Sequence, residues 1–249
     1  GGSGNPSAAT AKGVVSAMEG ALHHLGRGSI AGKTVVVQGL GHVATAMIAE
    51  LLRRDVGKVV ASDISDAPLA AASSRFAGAP LELCLAAPGD ASILARPGDI
   101  LAPCALGGIL NSETIPAIAA PLVCGAANNQ LLDGEHDAAR LLARGIAHVP
   151  DFVANRMGIV HCANEQYGRF RNDPAILRHF DPAWENSIFR VTERVLQRSE
   201  AEGITPSAAA NALADELGLL PHPVWGHRTR LIIDALVSGG WADGRSAPP

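Results

Sequence analysis

Lysine is scarce in this sequence. Only Lys12, Lys33 and Lys58 occur, against 17 arginines in 249 residues, so few side chains can serve as an amine base. A basic surplus is also missing: the net charge is −4 and the pI about 6.1, which leaves no electrostatic footprint for nucleic acid. No window holds enough consecutive apolar residues to cross a membrane, and no basic-then-apolar run marks a secretory signal. The four cysteines, Cys84, Cys104, Cys124 and Cys162, lie far apart without a Cys-x-x-Cys pair. That spacing argues against a metal site and for reduced thiols that pack as small apolar groups in a cytoplasmic protein. His222-Pro-Val-Trp-Gly-His227 lacks a third ligand or helical histidine spacing and reads as a structural loop. No Gly-x-Ser-x-Gly elbow or Walker loop occurs, and Glu50 and Glu165 have no carboxylate partner at telling spacing.

What is present is the composition of a folded domain, 47% hydrophobic and 18% charged. A first helix is predicted after Asn5 as cap and Pro6 at the first turn, with Val14, Met18, Leu22 and Leu25 as its apolar stripe. Gly28 to Gly32 ends it. Short apolar runs follow at 34–38, 58–62, 81–85, 100–103, 122–125 and 146–149. Helical patterns at 43–54, 69–76, 112–119 and 135–143 lie between them. Strands that are apolar throughout and alternate with helices imply a parallel sheet covered on both faces. The expected fold is α/β, a Rossmann-type doubly wound sheet, in which ligands lie beyond the carboxyl ends of the strands. Beyond about residue 165 the strand signals stop, and 181–202, 206–217 and 227–237 read as helices. The expected organisation is an amino-terminal helix and hinge over 1–32, a dinucleotide-binding domain over 33–170, and a helical extension over 171–249. Its last stretch, GGWADGRSAPP, is expected to fray.

Gly39-Leu40-Gly41-His42-Val43-Ala44 fits the Gly-x-Gly-x-x-Gly/Ala form. Gly39 permits a tight turn, Gly41 lets backbone N–H groups approach a pyrophosphate, and Ala44 keeps the helix close to the sheet. The turn follows a predicted strand and opens a helix, and Asp63 stands 22 residues after Gly41, where an acid holds ribose hydroxyls. Ile64, Ser65 and Asp66 follow with no cation for a 2′-phosphate, so the expected cofactor is NAD rather than NADP. Small polar stretches close the later strands: Ala102 to Gly108, Gly125 to Gln130 and Pro150 to Asn155. Ordinary turn chemistry explains them as readily as a binding edge does.

Three of these stretches carry more. APCALGGILNSETIP, VCGAANNQL and PDFVANRMGIVHCANEQYG resemble the cofactor domain of leucine and valine dehydrogenases, within the glutamate/leucine/phenylalanine/valine dehydrogenase family. GGSGNPSAATAKGV resembles the segment leading into that domain, which argues for GGSG as native sequence rather than a linker. The resemblance implies NAD-linked oxidative deamination of an amino acid to a 2-oxo acid and ammonia. It implies that Thr10 meets the nicotinamide carboxamide, that Gly39, Leu40, Gly41, His42 and Val43 form the pyrophosphate loop, and that Asp63, with Ile64 beside it, holds the ribose. Cys104, Ala105, Ala127 and Asn128 would line the rest of the cofactor. Asn155 would face substrate and nicotinamide, and Ile159 and Cys162 would line the side-chain pocket, which favours a hydrophobic substrate. His161 near this site is either a proton donor or, more simply, a hydrogen-bonded histidine.

Two departures stand out. The family's Asn-Ala-Gly-Gly is Asn155-Arg156-Met157-Gly158 here, so two bulky side chains either narrow the cleft or turn away and pack on the helical extension. The family's base, a lysine in a glycine-rich motif of a preceding substrate domain, has no counterpart, and the three lysines present read as solvated. The expectation is therefore the carboxyl-terminal part of a dehydrogenase, without its catalytic half and homo-oligomeric when whole. The alternatives are a non-catalytic NAD-binding module that senses or docks to a partner, and an NAD-using hydrolase.

Overall fold

The computed structural model describes residues 4–168, 172–220 and 228–240. Six strands form one parallel sheet in the order β3-β2-β1-β4-β5-β6: β1 Thr34–Gln38, β2 Lys58–Asp63, β3 Leu81–Leu85, β4 Ile100–Pro103, β5 Leu122–Val123 and β6 Ala147–His148. This is the doubly wound order, with the chain reversing direction across the sheet between β1 and β4. The register sets one row of side chains on a single face: Glu82, Val60, Val36, Leu101, Val123 and His148. Its four apolar members join Leu110, Ile115, Leu141 and Ile146 in a continuous core. The middle strands read as uninterrupted Val, Ile and Leu because both of their faces are covered.

The helices are α1 Ser7–His24, α2 His42–Leu52, α3 Asp66–Arg75, α4 His136–Ala143, α5 Asp151–Ala154, α6 Met157–Asn164, α7 Pro174–Leu177, α8 Ile188–Glu202, α9 Pro206–Gly218 and α10 Arg228–Ser238. Two compact units are distinguished, one ending at Ala210 and one starting at Asn211. In the second, Leu231, Ile232, Ile233, Leu236 and Val237 of α10 are exposed. Pro6 rather than Asn5 occupies the N-cap of α1, and Asn5 Oδ1 accepts the N–H of Ser7, the first helical residue, at 2.9 Å. The predicted stripe of α1 is too narrow, however. Ala11, Val15, Ala17 and Ala21 are buried as fully as Val14, Met18 and Leu22, because α1 lies between α2 and α8. The crossing with α8 is tight: a Cβ on Gly20 would stand 2.5 Å from the Phe189 carbonyl oxygen.

Two predicted helices are shorter than their patterns. The 112–119 segment holds only a 3-10 turn, Ile115–Ala117. There Asn111 Oδ1 accepts the N–H groups of Glu113 and Thr114, a side-chain turn that competes with a helix start, and Pro116 lacks a donor. The 181–202 pattern becomes helical only at Ile188. Ser187 Oγ accepts the Arg190 N–H at 3.2 Å and caps α8, while Asp181 Oδ1 holds a separate turn through the Ala183 N–H. His222, His227 and Trp241 to Pro249 lie outside the described residues.

His148 ends β6 at 2% exposure, and neither ring nitrogen has a hydrogen-bond partner. Burial disfavours the imidazolium and pushes its pKa down from 6.5 to about 4. The unfolded chain therefore binds a proton that the folded chain rejects between pH 6.5 and 4, and stability falls as the pH drops through that window. The loss is on the order of 3 kcal/mol. Urea unfolding of wild type at pH 7 and pH 4.5 is expected to show it, with most of the difference removed in His148→Leu; an unchanged pH slope in the variant would contradict the assignment.

Candidate cofactor cleft at the ends of the strands

The turn after β1 is built from two glycines with different duties. Gly39 has φ +94°, and its N–H donates to the Ser62 carbonyl at 2.8 Å. A Cβ there would lie 2.7 Å from the Ala105 Cβ, so the turn after β1 and the turn after β4 touch across the switch point. Gly41 has an ordinary φ of −66° and stands at the N-cap of α2, where no side chain caps the helix. No atom lies within 4 Å of the place its Cβ would occupy. The amino end of α2 thus faces open space with its positive dipole end unscreened, the requirement of an anion cradle. His42 is exposed and Val43 half-buried at the same end.

Asp63 closes the other side of this turn. Its Oδ2 accepts the Leu40 N–H at 2.8 Å and its Oδ1 accepts the Ser65 N–H at 3.0 Å. The carboxylate is thereby fixed against the glycine turn before any ligand arrives. Ile64 beside it is exposed.

The three later turns are laced together. Cys104 N–H donates to Gln38 O and Ala127 N–H to Pro103 O, carrying the ladder beyond the strands. Burial pushes the Cys104 thiol up to about 12, so it packs as a neutral group and is no nucleophile. Gln130, fully buried, donates from Nε2 to the carbonyls of Gly125 and Ala127 at 3.1 Å each. Asn129 adopts φ +52°; its N–H donates to Asp151 Oδ2 at 2.8 Å and its carbonyl accepts from Gly108 N–H at 2.8 Å. Asn155, from the turn after β6, donates from Nδ2 to Asn128 Oδ1 at 2.7 Å and to Ala126 O at 3.2 Å. Asn128 and Asn155, picked out from stretches 27 residues apart, thus share one hydrogen bond. Asp151 and Gln130 are the supports that sequence reasoning missed. Their signal was only position: an acid opening a short helix, and an amide closing a Gly-Ala-Ala-Asn-Asn run.

Thr10 sits in the packing between α1 and α6, 8% exposed. Its hydroxyl donates to the Pro6 carbonyl at 3.1 Å, and a Cβ on Gly158 would come within 3.2 Å of that oxygen. Ile159 and Cys162, three residues apart on α6, are both exposed on the same face. His161 Nε2 is enclosed without a hydrogen-bond partner.

Arg156 and Met157 leave the cleft floor. Met157 is fully buried with its Cγ beside Gly13. The Arg156 guanidinium turns to the segment before α8, where Nη2 donates to the Asn186 carbonyl and faces His179 Nδ1 at 3.4 Å. The packing alternative therefore holds and the cleft is not narrowed. The lysines are not simply solvated either. Lys12 Nζ lies 4.5 Å over the Phe180 ring, Lys33 stands 4.0 Å from Asp99, and Lys58 pairs with Glu82 at 2.7 Å. Glu50, buried at 6%, pairs with Arg53 and Arg54. Among the described residues no group of His, Cys, Asp and Glu could hold a metal ion, and no helix is long and apolar enough to cross a membrane.

Comparison with known proteins gives a consistent set. The profile of a family described as Glutamate/Leucine/Phenylalanine/Valine dehydrogenase matches residues 1–72 and 76–216. Leucine dehydrogenase from Bacillus cereus is 35% identical over 217 residues, covering 87% of this chain and 55% of that protein. Valine dehydrogenase from Streptomyces albus is 36% identical over 219 residues, covering 87% and 56%. The crystal structure of L-tryptophan dehydrogenase from Nostoc punctiforme superposes with a TM-score of 0.73 at 32% identity, covering 85% of this chain and 59% of that one. The hetero-hexameric glutamate dehydrogenase from Thermus thermophilus, in its Leu-bound form, gives 0.65 at 26% identity, over 87% and 52%. The chain spans little more than half the length of the curated relatives it matches.

Proposed function

Because the chain belongs to the glutamate/leucine/phenylalanine/valine dehydrogenase family, we propose that it is the NAD-holding part of an L-amino acid dehydrogenase that oxidatively deaminates an apolar amino acid to a 2-oxo acid and ammonia. The observation that carries this reading is the cleft at the β1/β4 switch point. An uncapped helix end behind Gly41, a carboxylate pre-set at Asp63 and the Asn128–Asn155 pair all follow the carboxyl ends of strands of the one parallel sheet. Relatives named leucine, valine and tryptophan dehydrogenases support the reaction class. The division into a helix and hinge over 1–32, a cofactor domain over 33–170 and an extension over 171–249 belongs to the same proposal. So does a homo-oligomer for the whole protein; the Thermus glutamate dehydrogenase, named as hetero-hexameric, supports assembly into an oligomer without bearing on whether the subunits are identical.

Each residue then has a defined task. The N–H groups at Gly41, His42 and Val43 hold the pyrophosphate, with Gly39 and Leu40 shaping the turn. Asp63 accepts from the adenosine ribose hydroxyls, with Ile64 beside it. Thr10, Cys104, Ala105 and Ala127 line the nicotinamide end. Asn155 Nδ2 is committed to Asn128 and Ala126, which leaves the Asn155 oxygen for the substrate and the Asn128 amide nitrogen for the cofactor. Ile159 and Cys162 offer an uncharged wall to the substrate side chain. When bound, NAD supplies the hydride acceptor for the substrate Cα. The proton acceptor is assigned to a lysine outside these 249 residues, since Lys12, Lys33 and Lys58 are engaged elsewhere.

Asp63→Asn removes the carboxylate charge and keeps an acceptor for Leu40. Loss of a charge-assisted hydrogen bond is worth about 1.5–3 kcal/mol, so NAD affinity is expected to fall at least about 10-fold, with a lowered Tm as well because the amide NH2 cannot accept from the Ser65 N–H. Equal NAD affinity in the variant would remove Asp63 from the site. The reaction itself is tested by NADH formation from leucine, valine and phenylalanine, using a protein that extends this chain with the coding sequence upstream. A rate there and none from the chain alone supports the proposal. NAD binding without a rate from either leaves only a binding module.

A further inference from the structure

The sheet does not end at Asp63. Strand β3 runs beside β2 as the edge of the sheet, and its last residue, Leu85, is the register partner of Asp63. The ladder goes one step further, with the Ala86 N–H donating to the Asp63 carbonyl at 2.9 Å. Side chains of register partners share a face of the sheet. Leu85 therefore stands beside the Asp63 carboxylate, on the side away from the glycine turn that the carboxylate holds through the Leu40 N–H. Leu85 is 60% exposed, and Ile64, next to Asp63 in sequence, is 62% exposed.

A phosphate on the 2′-oxygen of the ribose would enter this corner, and three features oppose it. Asp63 is a negative charge fixed by two backbone N–H groups. The amino end of α3 offers no compensation, since Asp66 occupies its first turn and the Ser65 N–H is already given to Asp63. Leu85 and Ile64 are apolar, so a phosphate beside them loses water and gains no donor. Lys58 and Arg96 do not supply one, because both pair with Glu82. Glu82 lies three residues before Leu85 in β3 and so points to the opposite face.

On the premise that NAD occupies this cleft, we propose that Leu85 is a specificity-determining residue that rejects the 2′-phosphate of NADP independently of Asp63. The two residues divide the selection. Asp63 accepts from the ribose hydroxyls, while Leu85 withholds the donor that a phosphate needs, a choice made against the wrong ligand rather than for the right one. Removing the Asp63 charge therefore does not by itself open the site to NADP. Leu85→Arg supplies the missing donors, in a planar fork that suits phosphate oxygens.

The test is calorimetric titration of this chain with NAD and with NADP, which differ in the 2′-phosphate alone. Wild type, Asp63→Ser and Asp63→Ser/Leu85→Arg are compared. Asp63→Ser is expected to weaken NAD and to tighten NADP by no more than about three-fold. Adding Leu85→Arg is expected to tighten NADP at least about ten-fold further, as one charge-assisted bond to phosphate provides, without tightening NAD. Leu85 is exposed on an edge strand, so the fold accepts the longer side chain. Where circular dichroism shows that serine at 63 lowers the folded fraction, Asp63→Asn takes its place, since the amide oxygen keeps an acceptor for the Leu40 N–H. If wild type binds NAD but the added arginine brings no gain for NADP, the role of Leu85 is overturned. The same holds if Asp63→Ser already binds NADP as tightly as the double variant. Failure of wild type to bind NAD overturns the cofactor assignment itself, and this inference with it.

Discussion

Gly41→Val is expected to leave the fold intact and reduce NAD affinity by at least about 100-fold. No protein atom lies within 4 Å of the position a Cβ would take at Gly41, and its φ of −66° suits any residue. The folded state therefore has room for valine, and the stability should fall only by the roughly 1 kcal/mol that a poor N-cap residue costs. The open space is where a pyrophosphate must approach the amino end of α2. A branched side chain there prevents the N–H groups from reaching the phosphate oxygens, and two charge-assisted bonds lost at about 1.5 kcal/mol each or more reach that factor. Circular dichroism with calorimetric NAD titration checks both halves. A variant that binds NAD normally would place the cofactor elsewhere.

Gly39→Ala, two residues earlier, is expected to do the reverse and attack the fold. At φ +94° any side chain is strained by about 1–3 kcal/mol. The new Cβ would also stand 2.7 Å from Ala105 Cβ and 3.0 Å from its backbone nitrogen, a backbone neighbour that cannot swing aside. Overpacking adds about 1–3 kcal/mol, so the total loss is about 4 kcal/mol. Urea denaturation measures it directly. A loss below about 1 kcal/mol would mean that the turns after β1 and β4 do not meet as described.

The contrast between these glycines marks how far the sequence could be read. Six strands, the turn at Gly39 to Ala44 and Asp63 were legible because apolar runs and a fixed spacing are local signals. The 112–119 helix was misread because Asn111 and Thr114 satisfy the backbone with their own side chains, which periodicity does not register. The stripe on α1 was drawn too narrow because α8, some 170 residues later in the chain, covers its far side. Resemblance brought Asn128 and Asn155 together, but their hydrogen bond and the carboxylate of Asp151 behind Asn129 are products of tertiary folding. Arg156 and Met157 were open in the sequence, since nothing local says whether a long side chain faces the cleft or Asn186.

The most direct measurement is a calorimetric titration of this chain with NAD and with NADP. Binding of NAD at one site per chain, with NADP weaker because no cation follows Asp63, is the expected result. Absence of NAD binding, or a preference for NADP, would contradict the assignment of the β1/β4 cleft.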